Sequence, residues 1–340
     1  MNQIRPTLKD VAERSGYALR TVKKVMSGDP NVRDTTKEAV LKAADELNYT
    51  PNRIASALAK KQNIKIALVY SSITEAYFPE VKEGFERCLE EYRDFGFSIE
   101  YHLTEKKGWE AQKPLLEALI KRNDISGVVV QPVSGTMLKD SIDALSLAGK
   151  PVITFGADAP GSRRLCYVGP NAYKSGRIGG QILANYIGKK GKVFIINQVS
   201  DHMQTQERGR GFMDRIREHY PEIQAYSMNL PDNSTLYYEM VHGIVENEQV
   251  AALFCTDANT YLAGRVLQDM GITDVVLVGF DLSEEGIQLM KEGYIKVIIE
   301  QKPDVIAYKA LKSMYEYLSM NVIPPEIVNT ELYIMTSECF

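Results

Sequence analysis

The sequence predicts a two-part α/β protein: an all-α helix-turn-helix head followed by a two-lobed sensor built on doubly wound parallel sheets. Three observations predict it. The first sixty residues hold three helical apolar stripes punctuated by Gly and Pro. From Ile64 onward, short apolar runs alternate with amphipathic stretches, the pattern of parallel strands covered by helices. Charge divides at the same place. Residues 1–61 carry 12 Lys/Arg against 7 Asp/Glu and the rest 28 against 37, so a head of +5 precedes a remainder of −9.

In the head, the first helix begins at Thr7, whose hydroxyl can cap the amide of Asp10; it places Leu8, Val11 and Ala12 on one face and ends at Gly16. The second covers about 18–26, with Leu19, Val22, Val25 and Met26 at helical spacing and Arg20, Lys23 and Lys24 outward. Ser27-Gly28-Asp29-Pro30 breaks it. The third starts with the capping box Thr35-Thr36-Lys37-Glu38 and buries Val40, Leu41, Ala44 and Leu47. Two helices joined by a Gly-containing turn and closed by a third make a helix-turn-helix unit. Thr50-Pro51 then opens a fourth helix of about ten residues, too short to be stable alone, which needs a partner helix or DNA to order it.

Ten strands are expected in the sensor: 64–70, 97–103, 126–132, 151–156, 165–169, 192–198, 224–230, 250–256, 275–281 and 295–301. Ten strands exceed one modest core and favour two similar lobes. Ligands of such sheets bind beyond the carboxyl ends of the strands. Tyr77, Phe78, Gln131, Asp158, Arg208, Asp257 or Asn259, Asp281 and Gln301 collect there. Carboxylates, amides and one Arg can bond hydroxyls in both directions while aromatic faces stack on the apolar side of a ring, the inventory of a sugar or polyol pocket.

Other classes find little support. No apolar run approaches the roughly 20 residues that span a bilayer, and no apolar signal region precedes the first helix, so a cytoplasmic protein with no membrane partner is expected. His102, His202, His219 and His242 are isolated, and no nucleophile elbow or phosphate-binding loop is present. Gly188-Lys189-Lys190-Gly191-Lys192 lacks the required spacing. No catalytic residue, metal or cofactor is therefore expected. Cys88, Cys166, Cys255 and Cys339 lie far apart, as reduced thiols packed like small apolar groups.

Leu8-Lys9-Asp10-Val11-Ala12, Thr21-Val22 with Val25 after two basic residues, and Asn48-Tyr49-Thr50-Pro51-Asn52-Arg53 followed by Ala55 and Leu58 resemble the lactose-repressor family. The resemblance implies that the second helix lies in the major groove of a palindromic double-stranded operator, with Leu19, Arg20 and Lys24 as readers and Thr7, Thr21 and Asn52 completing the DNA face. It implies paired hinge helices in the minor groove, where Ala55 and Leu58 sit, Leu58 as the wedge. The chain departs from the family in Tyr17-Ala18 and Lys23-Lys24. Lys24 lacks the bidentate fork of Arg, which moves its role toward positioning.

The remainder resembles the type I periplasmic sugar-binding proteins, notably the ribose-binding branch, through Gln206-Glu207-Arg208-Gly209-Arg210-Gly211-Phe212, Val278-Gly279-Phe280-Asp281 and Ile299-Glu300-Gln301-Lys302-Pro303. By that match Arg208, Asp281 and Gln301 contact the ligand and Phe78 stacks on it; Asp158 lies one or two residues from the acidic contact, and either Asp257 or Asn259 supplies another. The implied organisation is a head at 1–49, a hinge at 50–63, an N-lobe of 64–163 plus 291–323 and a C-lobe of 164–290 plus 324–340. No leucine heptad follows the last strand, so a homodimer rather than a tetramer is expected. The function implied is a DNA-binding repressor switched by a small sugar or polyol; a cytoplasmic sugar-binding module with a non-functional head is the alternative.

Overall fold

The structure, a computed structural model, describes residues 6–26, 32–47, 49, 63–71, 77–104, 108–198, 203–230 and 233–340. The chain divides into two compact units, Met1–Lys61 and Gln62–Phe340.

The first unit holds α1 (Leu8–Ser15), α2 (Leu19–Met26) and α3 (Asp34–Glu46). The cap on α1 is reciprocal: Thr7 Oγ1 accepts from the Asp10 amide at 3.4 Å, and the Thr7 amide donates to Asp10 Oδ2 at 2.6 Å. Gly16 ends the helix in the left-handed region at φ +74°, its amide on the Ala12 carbonyl at 3.0 Å. Val11, Val22, Val25, Val40, Ala43 and Ala44 form the core. Two expectations fail in α3. The helix starts at Asp34, and its N-cap Arg33 makes no side-chain cap bond, so the capping box at Thr35 is absent. Leu41 is 52% exposed. With Val40, Ala43 and Ala44 inward at i, i+3 and i+4, its neighbour Leu41 is turned about 100° away, and Ala43 takes the inward place.

The sensor alternates strand and helix: β1 (Ile64–Ser71), α4 (Tyr77–Tyr92), β2 (Phe97–Thr104), α5 (Trp109–Ile120), β3 (Gly127–Val130), α6 (Lys139–Leu147), β4 (Val152–Phe155), β5 (Cys166–Gly169), α7 (Ala172–Tyr186), β6 (Gly191–Gln198), α8 (Met203–His219), β7 (Ile223–Leu230), α9 (Ser234–Asn247), β8 (Val250–Cys255), α10 (Thr260–Asp269), β9 (Val276–Phe280), α11 (Glu284–Lys291), β10 (Val297–Glu300), α12 (Pro303–Met320), β11 (Ile327–Asn329) and β12 (Tyr333–Met335). Two six-stranded sheets result, ordered β11-β5-β4-β3-β1-β2 and β12-β10-β9-β8-β6-β7. Among the described residues every pairing is parallel except β10 with β12. β3, β4, β5, β9 and β10 are buried along their whole length, as strands covered on both faces must be.

All ten expected strands are present, but the lobe crossings move. β5 pairs with β4 and belongs to the N-lobe, β10 pairs with β9 and belongs to the C-lobe, and β11 pairs with β5 in the N-lobe. The chain therefore crosses after Gly169, after Glu300 and after Asn329 rather than near 163, 291 and 323. Apolar periodicity finds strands and is blind to their partners. Helix α12 packs Ile306, Ala307, Ala310, Leu311, Met314 and Tyr315 into the N-lobe core. Cys88, Cys166 and Cys255 are buried free thiols, pushed up to about 12, 11 and 12 chiefly by that burial, whereas Cys339 is exposed and not packed as expected.

Helices α7 and α8 touch backbone to backbone. A Cβ on Gly176 would overlap the Arg208 carbonyl, and one on Gly211 the Tyr173 carbonyl. This contact fixes the depth of the α8 turn that carries Arg208. Gly176→Ala is expected to cost about 3 kcal/mol, at the upper end for overpacking because the obstacle is backbone. Thermal unfolding of the variant checks this, and an unchanged melting temperature refutes it.

Candidate functional site

On the C-lobe side, four segments deliver one hydrogen-bonded chain. Arg208, 4% exposed on α8, donates Nη1 to the Thr256 carbonyl after β8 at 2.9 Å and Nη2 to Gln301 Oε1 after β10 at 2.6 Å. Gln301 Nε2 donates to Asp281 Oδ1 after β9 at 2.5 Å. The guanidinium carbon lies 3.9 Å from the centre of the Phe280 ring, a cation–π contact made strong by burial. Desolvation raises the Asp281 carboxyl to about 6 against the pull of Arg208; Glu300 adds to the rise and the Gln301 bond opposes it. Asp257 is buried with Oδ1 on the Asn259 amide at 2.9 Å, and its charge acts on Arg208; Asn259 is half-buried and its side chain makes no cap bond on α10. Of the two alternatives, Asp257 is thus the one beside the arginine.

On the N-lobe side, Tyr77 and Gln131 converge at Gly156. A Cβ on Gly156, φ +63°, would stand 2.6 Å from Tyr77 Oη and 3.1 Å from Gln131 Nε2, so a side chain there would displace both. Burial raises the Tyr77 phenol and Asp281 adds to this, with Arg208 opposing, so Tyr77 feels the C-lobe charges directly. Gln204 of α8 crosses from the other lobe, donating Nε2 to the Gly156 carbonyl at 2.6 Å. Phe78 stacks on Tyr70 at 5.6 Å and 28° and packs against the N-lobe core.

Asp158 is held in an ion pair. Its Oδ1 accepts from Thr154 Oγ1, the Ala159 amide and Arg164 Nε at 2.9, 2.7 and 2.5 Å, and its Oδ2 accepts from Arg164 Nη2 at 2.9 Å. With Arg164 only 5% exposed, this is a bidentate ion pair that holds the loop after β4, and both oxygens are taken. A ligand contact from Asp158 would be shared with this structural pair.

Three supporting residues escaped sequence reasoning. Gln112, fully buried on α5, donates Nε2 to the Gln131 carbonyl at 2.8 Å and accepts the Val133 amide at 3.0 Å, so one side chain grips the loop that presents Gln131. Thr260 Oγ1 accepts the Phe280 amide at 3.0 Å and lies 3.1 Å from the Asp257 carbonyl, bracing two site loops together. Glu80, in the first turn of α4, is raised to about 7 by burial and then by Glu300 and Asp304, against Lys302. A group whose folded value exceeds its unfolded one contributes stability below the unfolded value that is lost as pH rises through the folded value. The sensor is therefore expected to lose stability between about pH 5 and 8. Glu80→Gln should raise its melting temperature at pH 8 by about 2–4 °C and leave pH 5 nearly unchanged; equal shifts at both pH values contradict this.

In the head, Arg20, Lys23 and Lys24 are exposed along α2, with Leu19 and Thr21 half-buried beside them. Thr7 is exposed, and its hydroxyl bonds Asp10 Oδ2 at 2.7 Å. Asn52, Ala55 and Leu58 lie outside the described residues. Among the described residues no group of His, Cys, Asp and Glu could hold a metal ion, and no helix is long and apolar enough to cross a membrane. His102, His219 and His242 each stand beside a glutamate of their own element, and His202 lies outside the described residues.

Two parallel-sheet lobes with polar groups from both meeting in one cleft, in a chain headed by a helix-turn-helix fold, define a class: regulators with a small-molecule receptor attached. Residues 66–321 match the family described as periplasmic binding protein domain, and residues 7–52 match bacterial regulatory proteins, lacI family. The chain belongs to the periplasmic binding protein domain family and carries a lacI-family DNA-binding domain at its head, the make-up of a sugar-responsive DNA-binding repressor. It is 21% identical over 330 residues to catabolite control protein A of Priestia megaterium, covering 95% of each chain. It is 24% identical over 277 residues to the ribose import binding protein RbsB of Salmonella typhimurium, covering 81% of this chain and 90% of that one. The crystal structure of GanP, a glucose-galactose binding protein from Geobacillus stearothermophilus, superposes with a TM-score of 0.74 at 23% identity, over 82% of this chain and 98% of that one.

Proposed function

We propose that the protein is a cytoplasmic repressor that binds a palindromic operator as a homodimer and is switched by a neutral sugar or polyol held between the lobes, without a cofactor, a metal or catalysis. One observation carries the ligand reading. Arg208 Nε is buried without a hydrogen-bond partner beside the Gln301–Asp281 bond, and a buried N–H left unpaired is costly until an acceptor arrives. Tyr77 and Gln131 supply the opposite wall, Asp257 and Asp281 accept from hydroxyls, and Phe78 offers an apolar face. With two carboxylates beside one guanidinium the site disfavours a phosphate, which selects neutral ligands. Relatives that import ribose or bind glucose and galactose support this choice.

A thermal-shift screen of the full-length protein against pentoses, hexoses, polyols and sugar phosphates tests it, since a ligand that binds only the native state raises the melting temperature. Stabilisation by a neutral sugar is the expected result, and a response to sugar phosphates alone overturns it. The DNA reading has its own test. Affinity for a palindrome selected from random DNA is expected to fall about 10³-fold or more between roughly 50 and 200 mM salt. Weak, sequence-blind binding would mark the head as non-functional.

A further inference from the structure

Glu300 ends β10 at 2% exposure. Its Oε2 accepts the backbone N–H of Leu282 at 2.9 Å and its Oε1 that of Lys302 at 2.7 Å. Those amides belong to the residues that follow Asp281 and Gln301. Both turns carry a side chain where the backbone is left-handed: Asp281 at φ +63° and Lys302 at φ +56°. That region is strained for L-residues other than glycine and persists only where the surroundings enforce it. A carboxylate suits this clamp because both of its oxygens accept, whereas an amide would turn an NH₂ toward one of the two N–H groups. Charge-assisted bonds to backbone amides are also shorter and stronger than neutral ones.

We propose that Glu300 is a positioning residue of the effector site, pinning the two left-handed turns that aim Asp281 and Gln301 and so setting the Arg208–Gln301–Asp281 chain. The role rests on the reading that this chain contacts the sugar. Glu300 also adds negative charge beside Asp281, whose other charged and titratable neighbours are Arg208 from α8 and Tyr77 and Glu80 from α4, with Lys302 and Asp304 around Glu80. Because Asp281 is held near 6, acidification through that value removes an acceptor and weakens sugar binding. Removing the Glu300 charge should move this acid limb lower.

The test uses full-length Glu300→Ala and Glu300→Gln, the second keeping one acceptor and the side-chain shape. Amide hydrogen exchange is read at Leu282 and Lys302, Asp281 is titrated by carboxyl NMR, and D-ribose and D-glucose are titrated calorimetrically from pH 5 to 8. Expected are at least tenfold faster exchange at both amides in Glu300→Ala, sugar binding at least tenfold weaker, and in Glu300→Gln an Asp281 midpoint and acid limb below the wild-type value. Wild-type exchange and an unmoved Asp281 midpoint in both variants overturn the proposal, as does faster exchange with unchanged sugar affinity and pH profile. If the wild-type protein binds neither sugar, the choice of probe fails by itself, and the exchange and Asp281 titration still decide the role of Glu300.

Discussion

Arg208→Ala is expected to weaken sugar binding by about 100-fold or more, while operator affinity without sugar stays within about twofold of wild type. A hydrogen bond to a charged group contributes about 1.5–3 kcal/mol, and the variant would lose the Nε bond proposed to the ligand together with the bond that orients Gln301. Asp281 would suffer as well. Arg208 is the cation that pulls its carboxyl down against desolvation, so without it Asp281 rises further above 6 and is protonated through much of the neutral range. An acceptor then becomes a donor. Arg208→Lys should not restore binding, because an ammonium cannot reach the Thr256 carbonyl and Gln301 as a planar fork does. Calorimetry with the sugar identified by thermal shift measures both variants; near wild-type affinity in Arg208→Ala would remove the residue from the site.

Leu58→Ala is expected to reduce specific operator affinity at least tenfold, about 1.4 kcal/mol, and to leave non-specific binding unchanged. Leu58 lies outside the described residues, so the expectation rests on the resemblance of its motif and on the marginal stability of so short a helix. The resemblance pairs the hinge helices of two chains in the groove, and the cost of unstacking a step depends on its sequence, so the effect of the wedge is expected at the specific site. Fluorescence anisotropy with a selected palindrome and a scrambled duplex separates the two affinities. A folded head with unchanged specific affinity would mean that the hinge does not read the minor groove.

What was legible in the sequence is what periodicity and local chemistry encode. Each of the ten longer strands announced itself as an apolar run, and Thr7 and Gly16 marked the ends of α1 through bonds no more than four residues long. The strands at Ile327–Asn329 and Tyr333–Met335 did not, because three residues carry no readable period. Pairing is a tertiary fact, so the lobe to which β5 and β10 belong is not written in their own residues. The site divides along the same line. Arg208, Asp281 and Gln301 stand in motifs and meet in the structure. Asp158 sits in a similar loop, yet Arg164 takes both of its oxygens, and nothing in the spacing of the two residues reveals the pair. Gln112, Thr260 and Glu300 act on backbone groups that are distant in sequence or bent by the fold, so no residue pattern signals them.

Sugar in the cleft and operator on the head are proposed to be thermodynamically linked, and linkage of this kind is reciprocal. The most direct measurement is the operator affinity of the full-length protein with and without a saturating amount of the sugar found by thermal shift, with Arg208→Ala as the control. A shift of about tenfold or more is expected in the wild-type protein and none in the variant. The same operator affinity at zero and saturating sugar, with the sugar demonstrably bound, would contradict it.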